Sequence, residues 1–247
     1  MAAELRKEIE NGVYRPGTML PSLDEIGARF SVGKATASAA IKILEADDLV
    51  RTYQGRGTIV ADRRPVAVPL SRYASVVEPG GQLGPWQTAC QQAGVNGDMV
   101  MLDIGEQAAP ADVAAALQID PGTPVVRRDR HATIDGEPVQ LHTAWYSAAL
   151  VAGTPLAGRA RVEGGVYGAL TAAGHRPVTA DEAVSTRAAT REEAAELHLR
   201  EGAAVLIVER ITRDADRQPL EFLRVVATPR RTTLMYDDLP LAPSLQR

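Results

Sequence analysis

Beyond residue 42 the sequence contains no lysine: Lys7, Lys34 and Lys42 are the only three in 247 residues. That absence excludes a Schiff-base or phosphate-loop lysine from the bulk of the chain, and with it a cofactor-bound aminotransferase domain. Arginine serves everywhere else, a skew that the codon bias of a GC-rich genome accounts for. The one cysteine, Cys90, cannot form an intramolecular disulfide. It points to a reducing compartment, so the expected location is the cytoplasm. There is no run of about 18 apolar residues and no apolar stretch at the start, which argues against a membrane span and a signal peptide. His131, His142, His175 and His198 show no metal-binding spacing, and no nucleophile–base signature surrounds Cys90. Neither a metal, a cofactor nor an enzymatic activity is expected.

Hydrophobic residues make up 45% of the chain, enough for a real core, and the length allows one large domain or two ordinary ones. The net charge of −4 is unevenly spread. Residues 1–64 hold ten Lys/Arg against nine Asp/Glu, and the remainder 17 against 22. Between the two parts, residues 61–85 are rich in Pro and Gly, as linkers are, although Val66, Val68 and Leu70 alternate as an edge strand would. The expected organisation is a domain over 1–62, a linker over 63–82 and a second domain over 83–242.

The first segment reads as three helices and a hairpin. Residues 2–11 favour a helix that stops at Asn11-Gly12. Ser22 with Glu25 forms a capping box that opens a second helix. Ser31-Val32-Gly33 turns into a third over 34–46, with Ala37, Ala40, Ile41 and Leu44 as its apolar stripe. Two helices joined by so short a turn make a helix-turn-helix. Leu49–Tyr53 and Thr58–Ala61 then form a hairpin around Gln54-Gly55-Arg56-Gly57. A helix-turn-helix followed by a basic hairpin is a winged helix. The outward side of the third helix carries Lys34, Ala35, Ser38 and Lys42. Small side chains let it approach base edges, while the lysines meet phosphates. Gly55 and Gly57 let the wing come close, and Arg56 suits a narrow minor groove.

These motifs, with Pro16-Gly17, Leu20-Pro21-Ser22 and Gln54-Gly55-Arg56-Gly57-Thr58 in order, resemble the winged helix of GntR-family bacterial transcription regulators. The resemblance implies that Ser22, Lys34, Thr36, Gln54, Arg56 and Gly57 face double-stranded operator DNA. Leu23-Asp24 stands where relatives carry Arg or Glu-Arg, and Ser38 lies where an Arg is usual. Asp24 puts a negative charge near phosphate, which implies weaker binding or a different site. The first helix begins abruptly at Met1, implying either a short helix or a start further upstream.

From residue 86 the pattern becomes β-rich with inserted helices. A helix is expected over 87–92, ending at Gly94, followed by a strand over 99–105 and a helix over 111–119. Strands over 125–134 and 139–147 join at Asp135-Gly136, a strong hairpin turn. A helix over 165–173, a strand over 178–187, a helix over 191–199 capped by Thr190, and a hairpin of 205–213 with 220–227 complete an α+β unit on antiparallel strands.

This layout, with VVRRDRHATIDGEPV at 125–139, GVYGALTAAG at 165–174 and RQPLE at 217–221, resembles the UTRA effector-binding domain of the HutC subfamily, whose fold is similar to chorismate lyase. The resemblance implies a pocket lined by Arg128, Arg130, Tyr167 and Glu221, with His142 where many relatives have Glu. Arg128 and Arg130 point to one face of a strand, where they either pair with Asp103, Asp129 or Glu137, or capture a phosphate or carboxylate. Gly165 replaces a Ser, and residues 227–231 replace a Tyr and Asp-Arg run, which argues against a phosphosugar effector. Trp145 and Tyr146 either form an aromatic wall there or pack in the core. The expected function is therefore a homodimeric repressor released from its operator by a small anionic effector. The alternatives are a constitutive repressor with a degenerate pocket, as in plasmid-transfer repressors, and a lyase-like enzyme.

Overall fold

The computed structural model describes residues 1–47, 49–53, 55–61, 65–69, 84–159, 162 and 164–236, which divide into two compact units at Arg64/Pro65. In the first, α1 (Ala2–Glu10), α2 (Leu23–Phe30) and α3 (Lys34–Ala46) precede a hairpin of β1 (Val50–Tyr53) and β2 (Gly57–Val60). The Ser22–Glu25 capping box is formed in both directions, and it sets where α2 begins. Helix α2 ends at Ser31 in the left-handed conformation, φ 54°. A Cβ at Gly27 would lie 2.8 Å from the carbonyl oxygen of Val32, so glycine lets this turn close. The apolar stripe of α3 is buried as its spacing implies, against Leu5, Leu20, Ile26, Leu49, Val50 and Val60.

The second unit begins earlier than composition implies. Residues 65–69, read as linker, include β3 (Val66–Pro69), which pairs in parallel with β10 (Thr232–Met235). Val66 and Val68 turn inward, as their alternation allows; Leu70 and most of the expected linker lie outside the described residues. Helix α4 (Pro85–Ala93) packs on β3 with Trp86 and Cys90 inward. Then come β4 (Gly97–Ala108), α5 (Ala111–Leu117), β5 (Pro124–Ile134), β6 (Glu137–Ser147), α6 (Ala148–Val151), a 3-10 turn at Pro155–Ala157, and α7 (Gly165–Ala172). The remaining elements are β7 (Thr179–Ala188), α8 (Arg191–Glu196), β8 (Ala204–Arg213), β9 (Pro219–Ala227) and β10.

Six strands form one antiparallel sheet in the order β4-β5-β6-β9-β8-β7. The β5–β6 turn places Asp135 and Gly136 both at positive φ, the pairing that a tight two-residue hairpin needs. Each sheet face has its own layer. Val151, Leu156, Tyr167 and Leu170 cover the face that carries Val126, Ala144, Leu223 and Val225. Helices α5 and α8 cover the other, over Val125, Trp145 and Phe222 and over Val205, Ile207 and Val226. Three elements have no counterpart in the sequence reading: α6, the 3-10 turn and β10.

Candidate DNA-binding surface and effector pocket

In the first unit Lys34, Ala35, Thr36 and Lys42 are exposed and Ser38 is half-buried, opposite the buried stripe of the same helix. The wing exposes Gly55, Arg56 and Gly57, with both glycines at positive φ and the Arg56 amide donating to the Tyr53 carbonyl at 3.0 Å. Gln54 lies outside the described residues. The Thr52 amide donates to Glu45 Oε1, 2.8 Å away, which ties the wing to the end of α3. Two features temper the positive charge here. Ser22 is occupied by its own capping box, its hydroxyl 2.8 Å from Glu25 Oε2. Lys34 Nζ is 2.9 Å from Asp24 Oδ2, with both side chains mostly exposed.

In the second unit, strand pairing fixes which side chains meet. Arg128 lies opposite Ala144, which faces Leu223, which faces Arg210; Arg130 lies opposite His142, and Glu221 opposite Thr212. Side chains directly opposite each other share a face, so all of these point toward the layer that contains Tyr167. The acids that could have neutralised the arginines pair elsewhere: Asp103 with Arg159, Asp129 with Arg127, and Glu137 with His198.

Glu221 is the buried hub. It accepts from the Tyr146 hydroxyl at 2.6 Å, from Arg210 Nη2 at 2.8 Å and from the Thr212 hydroxyl at 3.3 Å. Tyr167 reaches the same group through Thr212, oxygen to oxygen 3.2 Å. Burial pushes the Glu221 carboxyl up, but Arg210 and the bond from Tyr146 outweigh it, so the pKa falls below the usual carboxylate value. Burial, with Glu221 alongside, pushes the Tyr146 hydroxyl well above its usual range, so it stays a donor.

Arg128 is buried and its Nη1 donates to the carbonyls of Leu156 and Gly158, at 2.7 and 2.9 Å. Its Nε and that of Arg130 are buried without a hydrogen-bond partner among the described residues. Burial, followed by the charges of Arg130 and Arg210, holds His142 well below its usual 6.5, so it is neutral near pH 7. Arg128, Arg130 and Arg210 thus share a sheet face with one carboxylate, which Arg210 bonds, and donor capacity stays unspent on Arg128 and Arg130.

Trp145 belongs to neither pocket nor wall. It lies on the opposite sheet face, stacked on Phe222 with ring centroids 5.4 Å apart, because neighbours along a strand alternate faces. Tyr146 is the pocket-side member of the pair. Sequence reasoning missed Arg210, Thr212 and Gln140; for the first two a signal was available in β8, where Arg210 and Thr212 continue the inward-facing alternation of Val208.

A family model for the UTRA domain matches residues 92–232, and one for bacterial regulatory proteins of the gntR family matches residues 1–60. The chain belongs to the GntR family and carries a HutC-type UTRA domain. It is 28% identical over 225 residues to an uncharacterized HTH-type transcriptional regulator of Rhizobium meliloti, covering 91% of this chain and 87% of that one. Another from Streptomyces coelicolor is 28% identical over 245 residues, covering 96% and 90%. The crystal structure of PhnF from Mycobacterium smegmatis superposes with a TM-score of 0.61 at 25% identity, over 95% of this chain and 97% of that one. Ligand-responsive transcriptional regulation is the function of this GntR-family protein at that level. Among the described residues no group of acids, histidines and cysteines could hold a metal ion, and no helix is long and apolar enough to cross a membrane.

Proposed function

We propose that this GntR-family protein is a dimeric repressor, released from its operator by a small anionic effector bound among Arg128, Arg130 and Arg210. The observation that carries the reading is the charge imbalance: Arg128, Arg130 and Arg210 lie on one sheet face with one buried carboxylate, Glu221, which Arg210 takes up, and the Nε groups of Arg128 and Arg130 lack partners among the described residues. A buried cation with unused donors is costly, and an oxyanion supplies both the charge and the acceptors. Repression is supported by PhnF of Mycolicibacterium smegmatis, a transcriptional repressor 28% identical over 141 residues.

In this reading Lys34, Ala35, Thr36, Ser38 and Lys42 of α3 occupy the major groove. Ser22 lies at the phosphates, and Gln54, Gly55, Arg56 and Gly57 form the wing that enters the minor groove. One winged helix reads few bases, so a two-fold dimer on a palindromic site supplies the rest, with the UTRA domains as the dimer surface. The effector releases DNA by binding more tightly to a dimer geometry whose heads no longer match the half-site spacing.

The test is DNA selection with the full-length protein, followed by a screen of anionic metabolites for release. Release by an anion, lost in Arg130→Met, supports the proposal; release only by cationic or neutral compounds contradicts it. The bonds that already satisfy Glu221 give one specific ground for a second reading, a constitutive repressor with a degenerate pocket. Operator binding that no anion weakens, in a protein that light scattering shows to be a dimer, selects that reading.

A further inference from the structure

His142 is the residue in this pocket whose hydrogen-bonding sense is set from outside it. Gln140 Nε2 donates to the hydroxyl of Thr232 on β10, oxygen 3.0 Å away. With Nε2 so placed, the amide oxygen, which can only accept, faces His142 Nε2 at 2.8 Å. The ring proton therefore sits on Nε2. In a neutral imidazole the other nitrogen, Nδ1, is then a bare acceptor, and it makes no hydrogen bond among the described residues.

The ring's neighbours favour its neutral form. Arg130 and Arg210 bring positive charge to it, which disfavours the imidazolium and leaves one nitrogen bare. His142 also lies directly opposite Arg130 in the β5–β6 register. The two side chains share a sheet face, so an oxyanion seated on the unused Arg130 Nε lies beside the imidazole. If the oxygen it turns to Nδ1 is bare, lone pair meets lone pair and the contact repels. If it carries a proton, the two form a hydrogen bond.

We propose that His142, oriented by Gln140 and Thr232, selects an oxyanion that carries its own hydroxyl donor, such as hydrogen phosphate or a phosphoryl group retaining one O–H. The proposal rests on the pocket being an anion site and adds which anions it takes. Gln140 is the positioning residue, since it touches His142 and not the ligand. The principle is that a site built to hydrogen-bond a hydroxyl rejects the analogue lacking it.

Hydrogen phosphate and sulfate provide the comparison, being dianions of similar size that differ by one O–H. The experiment is calorimetric titration of each into the full-length protein at pH 8 and equal ionic strength. Phosphate is expected to bind about tenfold more tightly, the worth of one hydrogen bond. Gln140→Glu is the diagnostic variant, because its carboxylate still accepts from Nε2 while its charge favours the imidazolium, placing a proton on Nδ1. In Gln140→Glu the preference for phosphate is expected to vanish or invert. Thr232→Val, which removes the group that orients Gln140, should reduce the preference without inverting it; thermal melts confirm that both variants fold.

Sulfate binding as tightly as phosphate, or more tightly, in the unaltered protein overturns the proposal while leaving the anion site standing, since a reversed amide would put the proton on Nδ1. A phosphate preference that survives unchanged in Gln140→Glu also overturns it, because another group then reads the hydroxyl. If neither anion binds at tens of millimolar, the anion site itself falls and the selectivity with it.

Discussion

Arg210 and Glu221 meet diagonally across adjacent strands, Nη2 2.8 Å from Oε2, with 10% and 1% of their side chains exposed. Neither charge would be tolerated there alone, because a buried ion without its partner keeps its desolvation cost with nothing to offset it. Glu221→Ala leaves Arg210, Tyr146 and Thr212 facing an unfilled space. A loss of about 3–5 kcal/mol in urea unfolding is expected, the usual cost of breaking a buried pair. Glu221→Gln keeps an acceptor for Tyr146 and should lose less. Equal stability of Glu221→Ala and the unaltered protein would mean that the pair is not buried in solution.

The same buried groups set the pH dependence of stability. His142 is held below 6.5 in the folded chain, so below that pH the unfolded chain binds a proton that the folded one does not. Stability should fall as pH drops below about 6.5, with a slope approaching 1.4 kcal/mol per pH unit. Glu221 is also depressed, below 4.5. Its contribution is complete above that value and lost as pH falls through its lower folded pKa. Urea unfolding of the second unit between pH 2 and 8 should therefore show two stages of loss, and His142→Phe should abolish the one that starts near 6.5. An unchanged profile in that variant would place a different proton acceptor in the pocket.

Arg128 and Arg130 are two residues apart on one strand, yet they should behave differently. Arg128 holds the carbonyls of Leu156 and Gly158, so Arg128→Met should destabilise the fold by about 1–3 kcal/mol, the penalty for stranding buried acceptors. Arg130 is half-buried and carries an unused Nε, so Arg130→Met should leave the melting temperature nearly unchanged and remove anion binding. Anion binding that survives in Arg130→Met would move the site toward Arg128 and Arg210.

On the DNA-binding unit, Asp24 holds Lys34 in an exposed ion pair that phosphate must displace. Asp24→Asn should raise affinity for a random-sequence duplex several-fold and steepen the dependence on log salt by about one, as one further cation becomes free to release a counterion. Lys34→Ala should do the reverse. Fluorescence anisotropy across 50–300 mM salt reads both; a weaker complex for Asp24→Asn would make Asp24 a direct contact rather than a competitor.

Much of this architecture is legible in the residues because local chemistry decides it. Ser22 and Glu25 fix the start of α2 wherever they occur together. Asp135-Gly136 dictates a two-residue hairpin, since both positions need positive φ. Strand β10 is not legible, because Thr232–Met235 is short and exists through a parallel partner more than 160 residues earlier. Arg128 and Arg130 could be placed on one face from spacing alone, but their separate duties depend on the 3-10 turn that comes to rest on one of them. Arg210 and Gln140 each acquire their role from a side chain on another strand, Glu221 for one and Thr232 for the other.

The DNA-reading surface proposed for Lys34 and Arg56 is tested by the affinity of the full-length protein, and of a Lys34→Ala/Arg56→Ala variant, for a duplex that the unaltered protein enriches from a random pool. The expected result is specific binding by the unaltered protein and a loss of about 100-fold in the double variant, from two contacts worth about 1–3 kcal/mol each, with an unchanged melting temperature. Equal affinity of the two proteins, or a pool from which no sequence is enriched, would contradict it.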